Sequence, residues 1–199
     1  MRHWLWTILL AAALTPSLAG AEGIYLGSGF GLGIPTHKIE PLGKELDQNP
    51  GLAWEALSLG YDNKNWGVGV QWGGAGGQTY SDFFGDGTWS VQYLTLSARY
   101  IIIPDGPVNP YLEIGSGAYV YSMVNNLAEI DSAPVPGLRL AAGAKFNLGR
   151  IYIATELDYH AADFSDATID TNYAHSGLNL NSRVDMLFLM VKTGMQARD

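Results

Sequence analysis

Four residues near the end of the chain could, by type, build a hydrolytic centre. Asp158 and His160 stand two apart in LDYH, so a strand would put both on one face. His175 and Ser176 follow in NYAHSGLN. A carboxylate that orients a histidine, and a histidine that takes the proton of a serine hydroxyl, make a nucleophile for acyl transfer. The same residues are also ordinary members of a polar loop rich in Ser, Asn and Asp. A second group could carry charge. Arg99, Glu113, Arg139, Lys145, Glu156, Asp158 and Lys192 occupy the polar positions of alternating segments. Nearly balanced in sign, they could line a narrow ion path or pair with one another and plug it.

The segments that must position these groups are strands. GIYLGSGFGLGI (23–34), LAWEALSLGY (52–61), WGVGVQWG (66–73), TWSVQYLTLSARY (88–100), PYLEIGSGAYVY (110–121), GLRLAAGAKF (137–146), IYIATELDYH (151–160) and SRVDMLFLMVKTGM (182–195) each alternate apolar and polar or glycine positions. Their connections alternate too. The links after the second, fourth and sixth strands are short, and those after the first, third, fifth and seventh are long. Short turns at one rim and long loops at the other describe an up-and-down barrel in an outer membrane. The long loops include TYSDFFGDG (79–87), with Tyr80, Phe83 and Phe84 amid acids, and the acidic stretch HAADFSDATIDTNYAHSG. Loops on a rigid scaffold often carry function.

One parity of these strands holds Leu94, Leu96, Leu112, Ile114, Leu138, Leu140, Ile151, Ile153 and Leu157; the other holds the charges. With the aliphatics facing lipid, the charges face the lumen. The opposite arrangement would put several charges into hydrocarbon, at about 2–4 kcal/mol for each Lys or Arg near the midplane. A soluble lipocalin-like barrel would bury the aliphatic parity instead. Against it stand the aromatics, which fall where membrane interfaces would be. Tyr61, Trp66, Tyr100 and Phe146 flank the short turns, and Trp72 and Tyr159 flank the long loops. Glu55 breaks the parity of the second strand. Either it lies above the membrane edge or a bulge near Ala56 resets the alternation, and the bulge is the favoured reading.

Residues 1–21 read as a secretory signal peptide: a basic start at Arg2, an apolar run from Trp4 to Leu14, Pro16, and the small-x-small Ala19-Gly20-Ala21. Residues 22–199 form one barrel domain. The chain has a formal charge of −8 and no cysteine, which argues against nucleic acid as a partner and excludes disulfides and cysteine zinc sites. Its glycine-rich runs lack phosphate-loop spacing. No EF-hand, metal set or cofactor motif is present.

Over about residues 23–195 the chain resembles the small eight-stranded outer-membrane barrels of the OmpA and OmpX type. The resemblance rests on the strand–turn–strand style of SLGYDNKNWGVGVQW, PYLEIGSGAYVY and GAKFNLGRIYIATELDYH. It implies a charged, pore-blocking interior and insertion by the barrel-assembly machinery. That machinery reads a terminal aromatic residue in this class, whereas this chain ends GMQARD. A narrower comparison is with lipid A deacylases resembling PagL, whose signature is a histidine and a serine separated by one residue near the top of the seventh strand. Here Ala161 and Ala162 follow His160, so that serine is missing, and His175 and Ser176 are adjacent rather than spaced.

The expectation is therefore an all-β, eight-stranded antiparallel up-and-down transmembrane barrel, monomeric and resident in the outer membrane. Its role would be structural or surface-interaction, carried by the extracellular loops over a plugged lumen, without cofactor or metal. Its partners would be outer-membrane lipids, lipopolysaccharide, the assembly machinery and an unidentified surface ligand. The alternatives are a PagL-like lipid A hydrolase and a narrow small-solute transport barrel.

Overall fold

Period-two segments rich in β-branched and aromatic residues form strands when neighbours can satisfy their backbone groups, and in lipid this requires a closed sheet. A computed structural model of the chain describes residues 23–38, 46–82, 85–104, 107–125, 128–164, 168–171, 174–179 and 183–197. The signal peptide assigned to residues 1–21 lies outside the described residues.

Eight strands make the wall: β1 (Ile24–Pro35), β3 (Gly51–Asp62), β4 (Trp66–Tyr80), β5 (Gly87–Ile101), β6 (Val108–Asn125), β8 (Val135–Leu148), β9 (Ile151–Asp163) and β12 (Arg183–Gln196). Each pairs antiparallel with the next, and β1 pairs with β12 from Tyr25–Gln196 to Pro35–Met186, which closes the barrel. Four short strands lie in the long connections: β2 (Asp47–Gln48), β7 (Ala128–Asp131), β10 (Thr168–Thr171) and β11 (Ala174–Asn179). β7 pairs with the upper end of β6, β10 with β7 and β11 with β10, so two long connections share one small sheet above the wall.

The wall is longer than the alternation suggested. GAGGQTY belongs to β4 and not to a loop, because Gly74–Thr79 continues its ladder with β5 and Tyr80 pairs with Asp47. At about 3.3 Å per residue and a tilt near 40°, the 18 residues of β6 rise about 45 Å, against an apolar band of about 25 Å. A large part of the wall therefore stands clear of the membrane.

The register also settles the second strand. Pairing between β3 and β4 shifts between Glu55 and Leu57, leaving Ala56 as the bulged residue. Leu52, Leu59 and Tyr61 stay on the outer face while Glu55 turns inward and is buried. At the β8–β9 turn Gly149 adopts φ +73°, a conformation that a side chain would strain.

Candidate functional site

The interior has two storeys. The lower one, toward the short turns, is ionic. Arg139, 0 % exposed, projects from β8 into its centre and contacts Glu113 of β6 and Glu156 and Asp158 of β9. Arg99 of β5 meets Glu113 at 2.7 Å and Asp62 at 3.6 Å, and lies 4.4 Å from the Tyr111 ring centroid. Lys192 of β12 bridges Glu55, at 2.8 Å, and Glu156. Lys145 pairs with Asp62 and reaches Gln196 at 3.2 Å. Gln71 donates from Nε2 to both Glu113 and Ser97, at 2.9 Å each, tying the wall to the network. Room for these side chains comes from facing glycines. A Cβ on Gly29 would sit 2.8 Å from Lys192 Cγ.

Among the described residues this storey contains four bases (Arg99, Arg139, Lys145 and Lys192) and five acids (Glu55, Asp62, Glu113, Glu156 and Asp158). Interlocked pairs of this kind occupy a bore that the side chains of an eight-stranded barrel are large enough to fill.

The upper storey is apolar, so ions plug only part of the lumen. Trp89, Val91, Tyr93, Tyr119, Tyr121, Met123, Met186 and Phe188 face inward and are buried. At the same height the outer face is mixed, with Thr88 and Gln92 exposed beside Val124 and Leu52. Along β5 the apolar positions thus pass from the inner face to the outer between Tyr93 and Leu94. Within the membrane span, Leu96 is 65 % exposed on the outside while Arg99 and Arg139 lie within.

His160 sits at the boundary between the storeys. Its ring lies 4.5 Å from the ring of Tyr93 and 4.5 Å from that of Phe188. Nδ1 is 2.9 Å from the Tyr119 hydroxyl, which also lies 3.2 Å from the Leu138 carbonyl. Nε2 of His160 and the hydroxyl of Tyr93 have no hydrogen-bond partner among the described residues. Each such buried group costs about 1–3 kcal/mol. Ala162, where a serine would complete a His-x-Ser pair, is also buried and inward. Both positions therefore face the lumen and not the outer wall. His175 and Ser176 fall in β11, but their side chains lie outside the described part of the structure.

The six aromatics singled out at the rims lie on the outer wall. Tyr61 packs against Trp66 with centroids 5.9 Å apart, and Trp72 meets Trp54, which the alternation had not singled out, at 5.8 Å. Exposed apolar side chains continue on the same outer wall beyond these aromatics, Leu52 and Leu138 toward the long loops and Leu148 and Ile151 toward the short turns. At the extracellular end of β4, the exposed Tyr80 hydroxyl donates to Asp82 at 2.8 Å, and this bond with the adjacent charge raises the phenol above its ordinary range. Phe83 and Phe84 lie outside the described residues.

Compared with known families, residues 48–182 match the family model described as lipid A 3-O-deacylase (PagL). The chain belongs to the PagL family. No curated protein sequence matches it. Among solved structures, Neisserial surface protein A (NspA) aligns at TM-score 0.62 with 15% identity, covering 88% of this chain and 98% of that one. The outer membrane protein OprG from Pseudomonas aeruginosa aligns at 0.65 with 16% identity, covering 90% and 97%. Ail, the attachment invasion locus protein of Yersinia pestis, aligns at 0.53 with 17% identity, covering 88% and 99%. The PagL-family chain thus has the fold of small eight-stranded outer-membrane barrels.

Sequence reasoning missed Asp62, Tyr93 and Tyr119 as interior groups. Asp62 lay in the apparent turn DNKN. The two tyrosines could have been found from a change of phase. In TWSVQYLTLSARY, Trp89, Val91 and Tyr93 are odd, whereas Leu94 and Leu96 are even.

Proposed function

We propose that this PagL-family chain is a non-catalytic outer-membrane barrel, sealed within the membrane, that acts through its extracellular end as a structural or surface-interaction protein. One observation carries the reading: His160, the histidine near the top of the seventh wall strand, is wedged inside the lumen between Tyr93 and Phe188, and the residue two further on is a buried alanine, Ala162. Acyl transfer needs a nucleophile within hydrogen-bond reach of its base, on the side where the ester lies. The family name supports the second reading, lipid A 3-O-deacylation, which would need a nucleophile from elsewhere in the chain. Export by cleavage near Ala21, insertion by the barrel-assembly machinery and a monomeric state in lipopolysaccharide-containing membrane complete the proposal. The small sheet of β7, β10 and β11 supports a role for the extracellular end, because it joins two long connections into one platform.

Mass spectrometry of lipid A from cells with and without the expressed chain tests the reading. Unchanged lipid A is expected. Loss of one acyl chain, abolished by His160→Ala in a variant that still shows heat-modifiable gel migration, would establish the deacylase instead.

A further inference from the structure

The upper storey ends in side chains that do not belong to the wall. Leu46 precedes β2 and Phe164 follows β9, and both are fully buried in the cluster containing Tyr121, Met123 and Phe188. The Phe164 ring lies 5.8 Å from that of Tyr121. Gln48 Nε2 donates to the Tyr121 hydroxyl at 3.0 Å and Trp89 Nε1 donates to the Asn49 carbonyl at 3.1 Å, holding the Leu46 segment in the mouth. Withdrawing these two stoppers breaks no ladder between wall strands. It uncovers the apolar side chains Val91, Tyr121, Met123, Met186 and Phe188 of the same cluster, a well on the side of the long loops.

At the base of this well are the two unpartnered groups, Tyr93 OH and His160 Nε2, on rings 4.5 Å apart; both residues are 2% exposed. A phenylalanine at position 93 would pack in the same apolar surroundings without a buried hydroxyl to satisfy. The geometry points to a binding site for a small neutral molecule with an aromatic or aliphatic body and one hydroxyl, held with its hydroxyl at Tyr93 and His160 and its body in place of Leu46 and Phe164. A hydroxyl both donates and accepts, as an imidazole nitrogen and a phenol together require; a carboxylate only accepts. An anion is disfavoured further by the storey beneath, where five acids face four bases. The paired ions below block passage, so the site binds without transporting. It is independent of whether the chain is catalytic.

Equilibrium dialysis of 4-methylphenol against the folded chain in lipid nanodiscs, with protein-free nanodiscs subtracted, tests this. Toluene and 4-methylbenzoate serve as comparison ligands. Saturable binding of one 4-methylphenol per chain is expected, at least tenfold tighter than either comparison ligand. Tyr93→Phe should weaken it about tenfold and abolish the preference over toluene. Leu46→Ala, which clears the mouth, should tighten it severalfold. The site is refuted if wild type and Leu46→Ala both show only the uptake of empty nanodiscs, or if all three ligands bind alike. It is equally refuted if Tyr93→Phe, verified as folded by its gel migration, binds as wild type does. That last result would leave the hydroxyl serving water alone.

Discussion

Replacing Arg139 with methionine tests the ionic storey where its arrangement is most demanding. Arg139 contacts three carboxylates, but they do not depend on it equally. Glu113 retains Arg99 and Glu156 retains Lys192. Among the described residues Asp158 has no other ion-pair partner. Arg139→Met therefore leaves one buried carboxylate uncompensated, at a cost of about 3–5 kcal/mol. A second change, Asp158→Asn, removes that charge, and the double variant should regain most of the loss. Asp158→Asn alone should cost under about 1 kcal/mol, because it removes the acid that makes five against four. Urea unfolding in lipid vesicles, followed by tryptophan emission and by heat-modifiable migration, would measure all four chains. If Arg139→Met unfolds at the wild-type midpoint, or Asp158→Asn fails to rescue it, the network does not hold the lumen as argued.

Three further outcomes follow from the wall and its bore. Deleting Ala56 would remove the bulge and leave a regular alternation, with Glu55 inward and Leu57 outward, so the deletion variant should keep its heat-modifiable band on refolding; loss of that band would contradict Ala56 as the extra residue. Leu96→Arg should cost about 2–4 kcal/mol in vesicle unfolding, while Gln92→Arg, four residues higher on the same face of β5, should cost under about 1 kcal/mol because a polar side chain already stands there nearer the upper interface. In planar bilayers the wild-type chain should show no steady single-channel conductance; a stable ohmic level would contradict the paired, filled lower storey.

The strands, their order and their outer face were legible because a side-chain period of two leaves a plain trace wherever one face meets hydrocarbon. Glu55 was informative for the same reason: an acid on an oily parity requires a kink, and one occurs at Ala56. The extension of β4 was hidden, because Gly73, Gly74, Gly76 and Gly77 offer no side chains to alternate. The apolar storey was obscured by a change of solvent along single strands. From Tyr93 to Leu94 the oily face moves from inside to outside, and a pattern read as one continuous alternation averages across that crossing. The placement of His160 could not be judged from its spacing to Asp158 alone, since two residues on one face are equally compatible with the lumen and with the lipid.

The seam between β1 and β12 joins Tyr25 to Gln196, positions 171 residues apart. Until those two strands meet, a growing sheet in lipid carries two raw margins of unbonded peptide groups, which hydrocarbon penalises heavily. Completion is consequently a single late event rather than a gradual accretion. A lesion in any one wall strand should then show itself in the number of finished molecules recovered, with each survivor close to whole.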